Sequence, residues 1–177
     1  KFLYEDGINT NTVLVYRFGI AAIILAVMMY FKKISFRITK RECGIIASLG
    51  VLFAASAMTL YSSFKHLDLG IASTLLFVYP MMVAVIMTVF FKEKLTWTTV
   101  VSILLAFAGI FMLNGSGGSG ALSFLGVMLV MVSSLTYAVY IVIINRTSIK
   151  MSSIKMTFYV LLFCIASILI YTQFMPD

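Results

Sequence analysis

Four hydroxyl-bearing side chains lie close together in a run of residues that is otherwise apolar. Ser133, Ser134, Tyr137 and Tyr140 all fall within the run 121–144. On a helix, Ser133, Tyr137 and Tyr140 share one face and Ser134 lies beside it. A hydroxyl without a partner is costly in an apolar environment. These side chains therefore either bond to a neighbouring helix or line a cavity where they stack on and hydrogen-bond a small molecule, and the sequence leaves both alternatives open.

A second candidate is Pro80, near the centre of the uncharged run 69–91. A proline inside a helix removes one hydrogen bond and clashes with the preceding turn, at a cost of about 3 kcal/mol in water. Ser73, Phe77 and Pro80 share a helical face with Ala84, and we expect that face to be the inner one. Pro80 either fixes a packing kink or flexes beside a substrate path. Ser73 either binds a ligand or bonds to a helix backbone.

A third candidate is a stripe of small residues that ends in a tyrosine. Gly50, Ala54, Ala57 and Tyr61 are spaced by four, three and four residues. Small residues let helices approach closely, so packing alone explains the first three. Tyr61 is either an ordinary interfacial tyrosine or part of the lining of an outer vestibule. We include Ala57 and Tyr61 among the expected cavity residues.

Two charged residues complete the candidates. Arg17 lies one turn inside the run 13–31, where its long side chain either reaches the lipid headgroups or forms a gate or ion pair with an acidic residue such as Asp68 or Glu5. Glu93 lies between Lys92 and Lys94 and is either solvated or part of a structural ion pair.

The sequence contains no set of residues typical of an enzyme or a metal site. His66 is the only histidine, and Cys43 and Cys164 have no partner at metal-ligand or disulfide spacing. There is no Ser-His-Asp set, no glycine-rich phosphate loop after a strand and no HExxH motif. No Asp, Glu or Lys lies in the middle of an apolar run. We therefore expect no enzymatic activity, no metal and no cofactor.

The elements that must position these residues are membrane-spanning helices. The chain has 177 residues, of which 62% are hydrophobic and 11% charged, and its mean hydropathy is +1.10. A soluble domain is about half apolar and about a quarter charged. A spanning helix needs about 20 apolar residues, and the sequence offers six such runs: 13–31, 43–64, 69–91, 97–113, 121–144 and 156–175. These features predict an all-α polytopic membrane protein.

The positive charges predict how the helices are oriented. The loops around 32–42, 92–94 and 145–155 hold ten of the thirteen Lys and Arg residues, and the alternate connections hold only Lys1 and Lys65. Basic loops stay on the cytoplasmic side. The net charge of +7 therefore reflects topology, and no basic stripe with interleaved aromatics indicates nucleic-acid binding.

The chain also has the features of an inverted repeat. When residue n is set beside residue n+141, the first run aligns with the sixth, which crosses in the opposite direction. Related segments of opposite direction are typical of transporters with inverted-topology repeats. We expect a first repeat at 1–114 that lacks its first helix, a Gly/Ser linker at 115–120 and the truncated start of a second repeat at 121–177.

Several motifs resemble one family. The segment ASTLLFVYPMMVAVIMTVFFKEKLTWTTVVSILLAFAGIFML joins an Ala-Ser start to a proline seven residues on, a basic-Glu-basic-Leu-Thr loop and a small-residue helix that ends in Gly-x-x-x-Leu. With YRF in the first run and SSLTYAVYIVIINR in the fifth, it resembles the EamA-type carriers of the drug/metabolite transporter superfamily. The resemblance implies a helical bundle of ten helices in two inverted five-helix repeats, of which about six are present. It also implies export or exchange of small metabolites, amino acids or drugs across the inner membrane, through a cavity to which the second, third and fifth runs contribute.

Two functional hypotheses follow. The first is a secondary transporter whose central cavity is lined by Ser73, Pro80, Ser133 and Tyr137, and the second is a non-transporting helical scaffold or assembly subunit in which the same stripes serve only packing. The expected partners are a small-molecule substrate, the lipid bilayer and, as an option, a second copy of the chain in a homodimer.

Overall fold

A computed structural model describes residues 10–93, 123–147 and 151–174, together with scattered positions between 96 and 109. Within these residues the regular structure is entirely helical. Six helices have defined bounds: α1 Thr10–Phe31, α2 Lys40–Ser63, α3 Leu69–Leu76, α4 Tyr79–Phe91, α5 Phe124–Arg146 and α6 Ser153–Phe174.

Among the described residues, five segments are long and apolar enough to cross a membrane, with α3 and α4 together forming one of them. They correspond to the first, second, third, fifth and sixth predicted runs, so the helical interpretation is confirmed for those five. The fourth predicted run, 97–113, lies largely outside the described residues.

The third span starts at Leu69 as predicted, and the other four observed helix starts differ from the predicted ones by three residues. Helix α2 shows one physical reason. It begins at Lys40, whereas the apolar run begins at Cys43. The sequence Thr-Lys-Arg-Glu at 39–42 is a capping box, in which the Glu42 carboxylate accepts a hydrogen bond from the Thr39 N–H at 2.8 Å. The cap satisfies a backbone donor and extends the helix through its charged first turn.

The chain divides into two compact units, Lys1–Ala55 with Thr147–Asp177, and Ser56–Arg146. In the first unit, α1 packs against α6. Gly50 in the first part of α2 lies directly against α6, because a Cβ at this position would be 2.5 Å from the Cβ of Phe163. Buried side chains from all three segments form the interior: Leu14, Ala22, Met29, Ile46, Leu49, Val160, Cys164 and Ile168.

In the second unit, α3 and α4 pack against α5. Leu67, Ala72 and Val130 form a buried apolar cluster, and partly buried residues of α2, α3 and α5 pack around it. Gly126 on α5 allows close contact here, since a Cβ would lie 2.6 Å from the Leu67 Cγ.

The third span is interrupted, as the proline predicts, but the break precedes Pro80. Helix α3 ends at Leu76, and α4 begins at Tyr79 with Pro80 in its first turn. Proline is tolerated in the first turn because the N–H it lacks has no helical acceptor there. The break therefore falls at Phe77 and Val78, where hydrogen bonds to Thr74 and Leu75 tighten the chain into a three-residue turn.

Candidate functional site

Hydroxyl groups in the spans are satisfied in two different ways. Most bond to a carbonyl one turn back in their own helix, as Thr74 does to Gly70 (2.8 Å), Thr136 to Val132 (2.7 Å) and Ser167 to Phe163 (2.7 Å). Three serines of the second unit instead bond across helices: Ser56, Ser133 and Ser134. These three mark the place where polar groups organise the packing.

Ser56 on α2 and Ser133 on α5 form a reciprocal pair. The Ser56 hydroxyl donates to the Ser133 carbonyl at 3.0 Å, the Ser133 hydroxyl donates to the Ser56 carbonyl at 2.7 Å, and the two Oγ atoms are 3.1 Å apart. Both serines are buried, Ser133 completely. The pair joins α2 to α5, because each hydroxyl donates to a backbone carbonyl of the other helix.

Ser134 compensates for the broken helix. The proton missing from the Pro80 nitrogen would, in a continuous helix, bond to the carbonyl four residues earlier, which is that of Leu76. The Ser134 hydroxyl donates to this carbonyl at 3.3 Å. In a membrane an orphaned carbonyl needs such a partner, so a side chain of α5 stabilises the end of α3.

Three tyrosines gather beside this break. Tyr79, the first residue of α4, has its ring centroid 4.8 Å from that of Tyr137 in an edge-to-face arrangement. Tyr137 stacks on Tyr140, at 5.6 Å and an interplanar angle of 18°. All three are half-buried. The cluster brings three aromatic rings and three hydroxyls together, and these are groups suited to stacking, cation–π contact and hydrogen bonding.

A charged contact lies at the end of α4. Lys92 adopts a left-handed conformation (φ 54°) that ends the helix, and its N–H and that of Glu93 both turn back to the Met87 carbonyl. Glu93 forms an ion pair with Arg146 at the end of α5. The Arg146 guanidinium also lies 4.2 Å over the Phe91 ring. Both charged side chains are exposed, so the contact joins the ends of α4 and α5 at the surface of the unit.

A family model for the EamA-like transporter family matches residues 1–115. The chain belongs to this family. It is therefore a polytopic helical membrane protein, as the five spans indicate.

Two curated relatives of this EamA-family chain are named as transporters. An uncharacterized transporter of Archaeoglobus fulgidus is 27% identical over 91% of the chain and 55% of its own length. The uncharacterized transporter YvbV of Bacillus subtilis is 27% identical over 52% of the chain and 30% of its own length. The chain thus spans about half or less of the length of these relatives. No solved structure matches it.

The structure brings some of the predicted residues of the EamA chain together. Ser134, Tyr137 and Tyr140 lie at the break in the third span, and Ser133 lies beside them in its contact with α2. Ala57 and Tyr61 are half-buried further along α2, where the Tyr61 ring is 5.1 Å from that of Phe64.

Other predicted residues have exposed side chains. Ser73, Phe77 and Pro80 are exposed, Phe77 to 64%, and the break means that Ser73 and Pro80 do not belong to one continuous helix. Arg17 is exposed on α1 in the first unit. The roles assigned to all these residues stay predictions.

Three contributors were missed by sequence reasoning. Tyr79 directly precedes Pro80, and that position could have marked it as the start of the next helix. Ser56 lies between Ala54 and Ala57, so its place in a small-residue stretch hid its polar role. Arg146 gave no signal beyond its charge, because nothing in the sequence pairs it with Glu93. Within the part of the chain that the structure describes, no three His, Cys, Asp or Glu residues cluster as a metal site would require.

Proposed function

We propose that the full-length protein is a secondary transporter that moves small metabolites, amino acids or drugs across the cytoplasmic membrane by alternating access, as an exporter or exchanger. The observation that carries the proposal is the tyrosine cluster at the broken third span. Packing alone needs neither a proline-broken helix nor three half-buried tyrosines beside it. Membership of the EamA-like family and the names of the relatives support the same class of function.

In this proposal Tyr137 and Tyr140 contact the substrate, and Tyr79 completes the ring surface. Ser134 fixes the break that brings Tyr79 against Tyr137. Ser133 acts one step further away, because its hydroxyl is engaged by Ser56 and holds α5 against α2. Ser73, Phe77 and Pro80 then form the approach to the cluster, and Ala57 and Tyr61 form its outer vestibule.

The proposal includes the expected membrane arrangement. Residues 1–114 belong to a first repeat and 121–177 to a second, inverted one, and the basic loops face the cytoplasm. The Glu93–Arg146 pair acts as a structural contact that keeps the ends of α4 and α5 together during transport.

The test is substrate exchange by the full-length protein in vesicles. Vesicles loaded with a mixed pool of amino acids and small metabolites are assayed for the wild type, Tyr137→Ala and Tyr137→Phe. We expect exchange of one chemical class, a loss of at least tenfold in Tyr137→Ala, and partial retention in Tyr137→Phe, which keeps the ring. Tyr16→Ala, at a position 70% exposed on α1, is the matched control and should exchange normally.

Other outcomes separate the site from the function. Normal exchange by Tyr137→Ala would retain a transporter and remove Tyr137 from its path. No exchange of any compound by folded wild-type protein would favour the alternative, a helical scaffold in which the serine and tyrosine contacts serve packing.

A further inference from the structure

A dense group of positive charges lies in the connection between α1 and α2, within the first unit. Lys32, Lys33, Arg37, Lys40 and Arg41 fall within ten residues, here called the basic segment, residues 32–41. All five side chains are exposed. None of the five forms an ion pair with another residue in the described ranges. Within these ranges no ion pair offsets their mutual repulsion, which favours an anionic partner.

The nearest carboxylate in the sequence is committed to a different role. Glu42 accepts the Thr39 N–H in the capping box, and its side chain thereby turns to the backbone at the start of α2. The Glu42 carboxylate therefore stabilises the helix start and, among the described residues, forms no ion pair with the exposed lysines and arginines of the basic segment.

The backbone of the basic segment is fixed by side chains of α6. The Tyr159 hydroxyl donates to the Phe36 carbonyl, and the Lys155 ammonium donates to the Arg37 carbonyl. The Phe36 ring meets Phe158 edge-on at a centroid distance of 6.1 Å. A fixed backbone holds the charges in a preorganised array, so less ordering entropy is lost when a ligand binds.

The position of the segment indicates what the ligand is. It follows directly on the apolar span that ends at Phe31 and leads into the next span at Lys40, so it lies at the level of the lipid headgroups. Phe36, 46% exposed, presents an apolar ring among the charges, as segments at the boundary between headgroups and acyl chains do.

We propose that the basic segment is a binding site for the headgroups of anionic phospholipids in the adjoining leaflet. The phosphate oxygens accept hydrogen bonds from Lys33, Arg37, Lys40 and Arg41, and the Phe36 ring inserts beside the first carbons of the acyl chains. The site orders lipid around the start of α2, independently of what the protein transports.

The experiment measures lipid retained by the purified full-length protein, with native mass spectrometry as the readout. Detergent-solubilised protein is titrated with phosphatidylglycerol, with phosphatidylcholine and with inorganic phosphate. We expect retention of phosphatidylglycerol that phosphatidylcholine does not compete for and that falls as salt is raised. The triple variant Lys33→Gln, Arg37→Gln, Lys40→Gln should lose about fivefold in affinity for each charge removed, and so about a hundredfold in all.

Matched variants distinguish a specific lipid-binding site from a nonspecific effect of positive charge. Lys65→Gln removes an exposed charge just beyond the other end of α2 and should retain lipid as the wild type does. The paired exchange Lys40→Arg, Arg41→Lys keeps the charge and should also bind. Equal retention of phosphatidylcholine by the wild type, displacement of the lipid by inorganic phosphate at equal concentration, or an equal loss in Lys65→Gln would each overturn the proposal. If the triple variant does not elute as a single species, the salt dependence and phosphate competition of the wild type decide.

Discussion

The packing of α2 against α6 requires a residue without a side chain at Gly50. A Cβ there would lie 2.5 Å from the Phe163 Cβ and 3.1 Å from the backbone nitrogen of Cys164. These contacts include main-chain atoms that cannot rotate away. In lipid, where the hydrophobic effect does not drive helices together, such close backbone approach supplies much of the attraction between them.

We therefore predict that Gly50→Ala destabilises the full-length protein by about 1–3 kcal/mol, as overpacking does in other interiors. The measurement is the thermal unfolding midpoint in detergent. Gly44→Ala is the control on the same helix, because a Cβ there meets nothing within 4 Å, and it should be neutral or stabilising. Gly126→Ala should fall between the two, since the Leu67 side chain that it meets can move. Equal midpoints for Gly50→Ala and Gly44→Ala would contradict this packing.

Single residues also show what the sequence could and could not predict. The sequence shows that the hydroxyls of Ser133 and Ser134 need hydrogen-bond partners, because they lie in an apolar run. Their acceptors, the carbonyls of Ser56 and Leu76, were not visible. Partner choice depends on the rotation of each helix about its axis, which an apolar run leaves undetermined when almost every face is apolar.

The third span is held together by a contact from another helix. Pro80 removes the donor for the Leu76 carbonyl, and Ser134 on α5 replaces it. The two residues therefore depend on each other: the hydroxyl matters because the proline is there. The same contact lies one helical turn from Tyr137, whose ring meets Tyr79 at the start of α4.

This dependence predicts the outcome of a double-mutant cycle. Ser134→Ala should destabilise the protein by about 1 kcal/mol, a typical value for a hydrogen bond between helices in lipid. In a Pro80→Ala background the same change should cost much less, because the new N–H at position 80 can bond to the Leu76 carbonyl. Unfolding in denaturing detergent gives the four stabilities.

Additive effects in this cycle would show that Ser134 does not serve the carbonyl freed by the proline. Thr136→Ala is the control, since its hydroxyl bonds to Val132 within its own helix. Its cost should be the same in both backgrounds.

The sequence predicted these elements better than their ends. The lengths of the apolar runs predicted five spans, and Pro80 predicted an interruption of the third. Both predictions rest on local sequence features. The break itself lies at Phe77 and Val78, since proline disturbs the turn before it and fits well in the first turn of a new helix. Predicting the start of α2 at Lys40 requires the capping box to be considered together with the hydropathy.

The charge distribution of the whole molecule predicts its orientation in the membrane. We expect the segments around Lys33 and Lys92 to face the cytoplasm and Lys65 to face outside. The check is labelling of single cysteines by a membrane-impermeant maleimide, in full-length protein with Cys43→Ala and Cys164→Ala. Lys65→Cys should react in intact cells, and Lys33→Cys and Lys92→Cys only after lysis. Labelling of Lys33→Cys in intact cells would reverse the proposed topology.

One compact unit is a continuous stretch of the chain and the other is made of two separate stretches, so the two units are completed at different times during synthesis. The second unit is the continuous stretch Ser56–Arg146, whereas the first joins Lys1–Ala55 to Thr147–Asp177. Ser134 is separated by 58 residues from its acceptor Leu76, and Tyr159 by 123 residues from Phe36. At 5–20 residues per second, α6 follows the basic segment by about 6–25 s. Until α6 is made, the face of α1 that packs against α6 lacks this contact, and its apolar side chains are solvated by the bilayer.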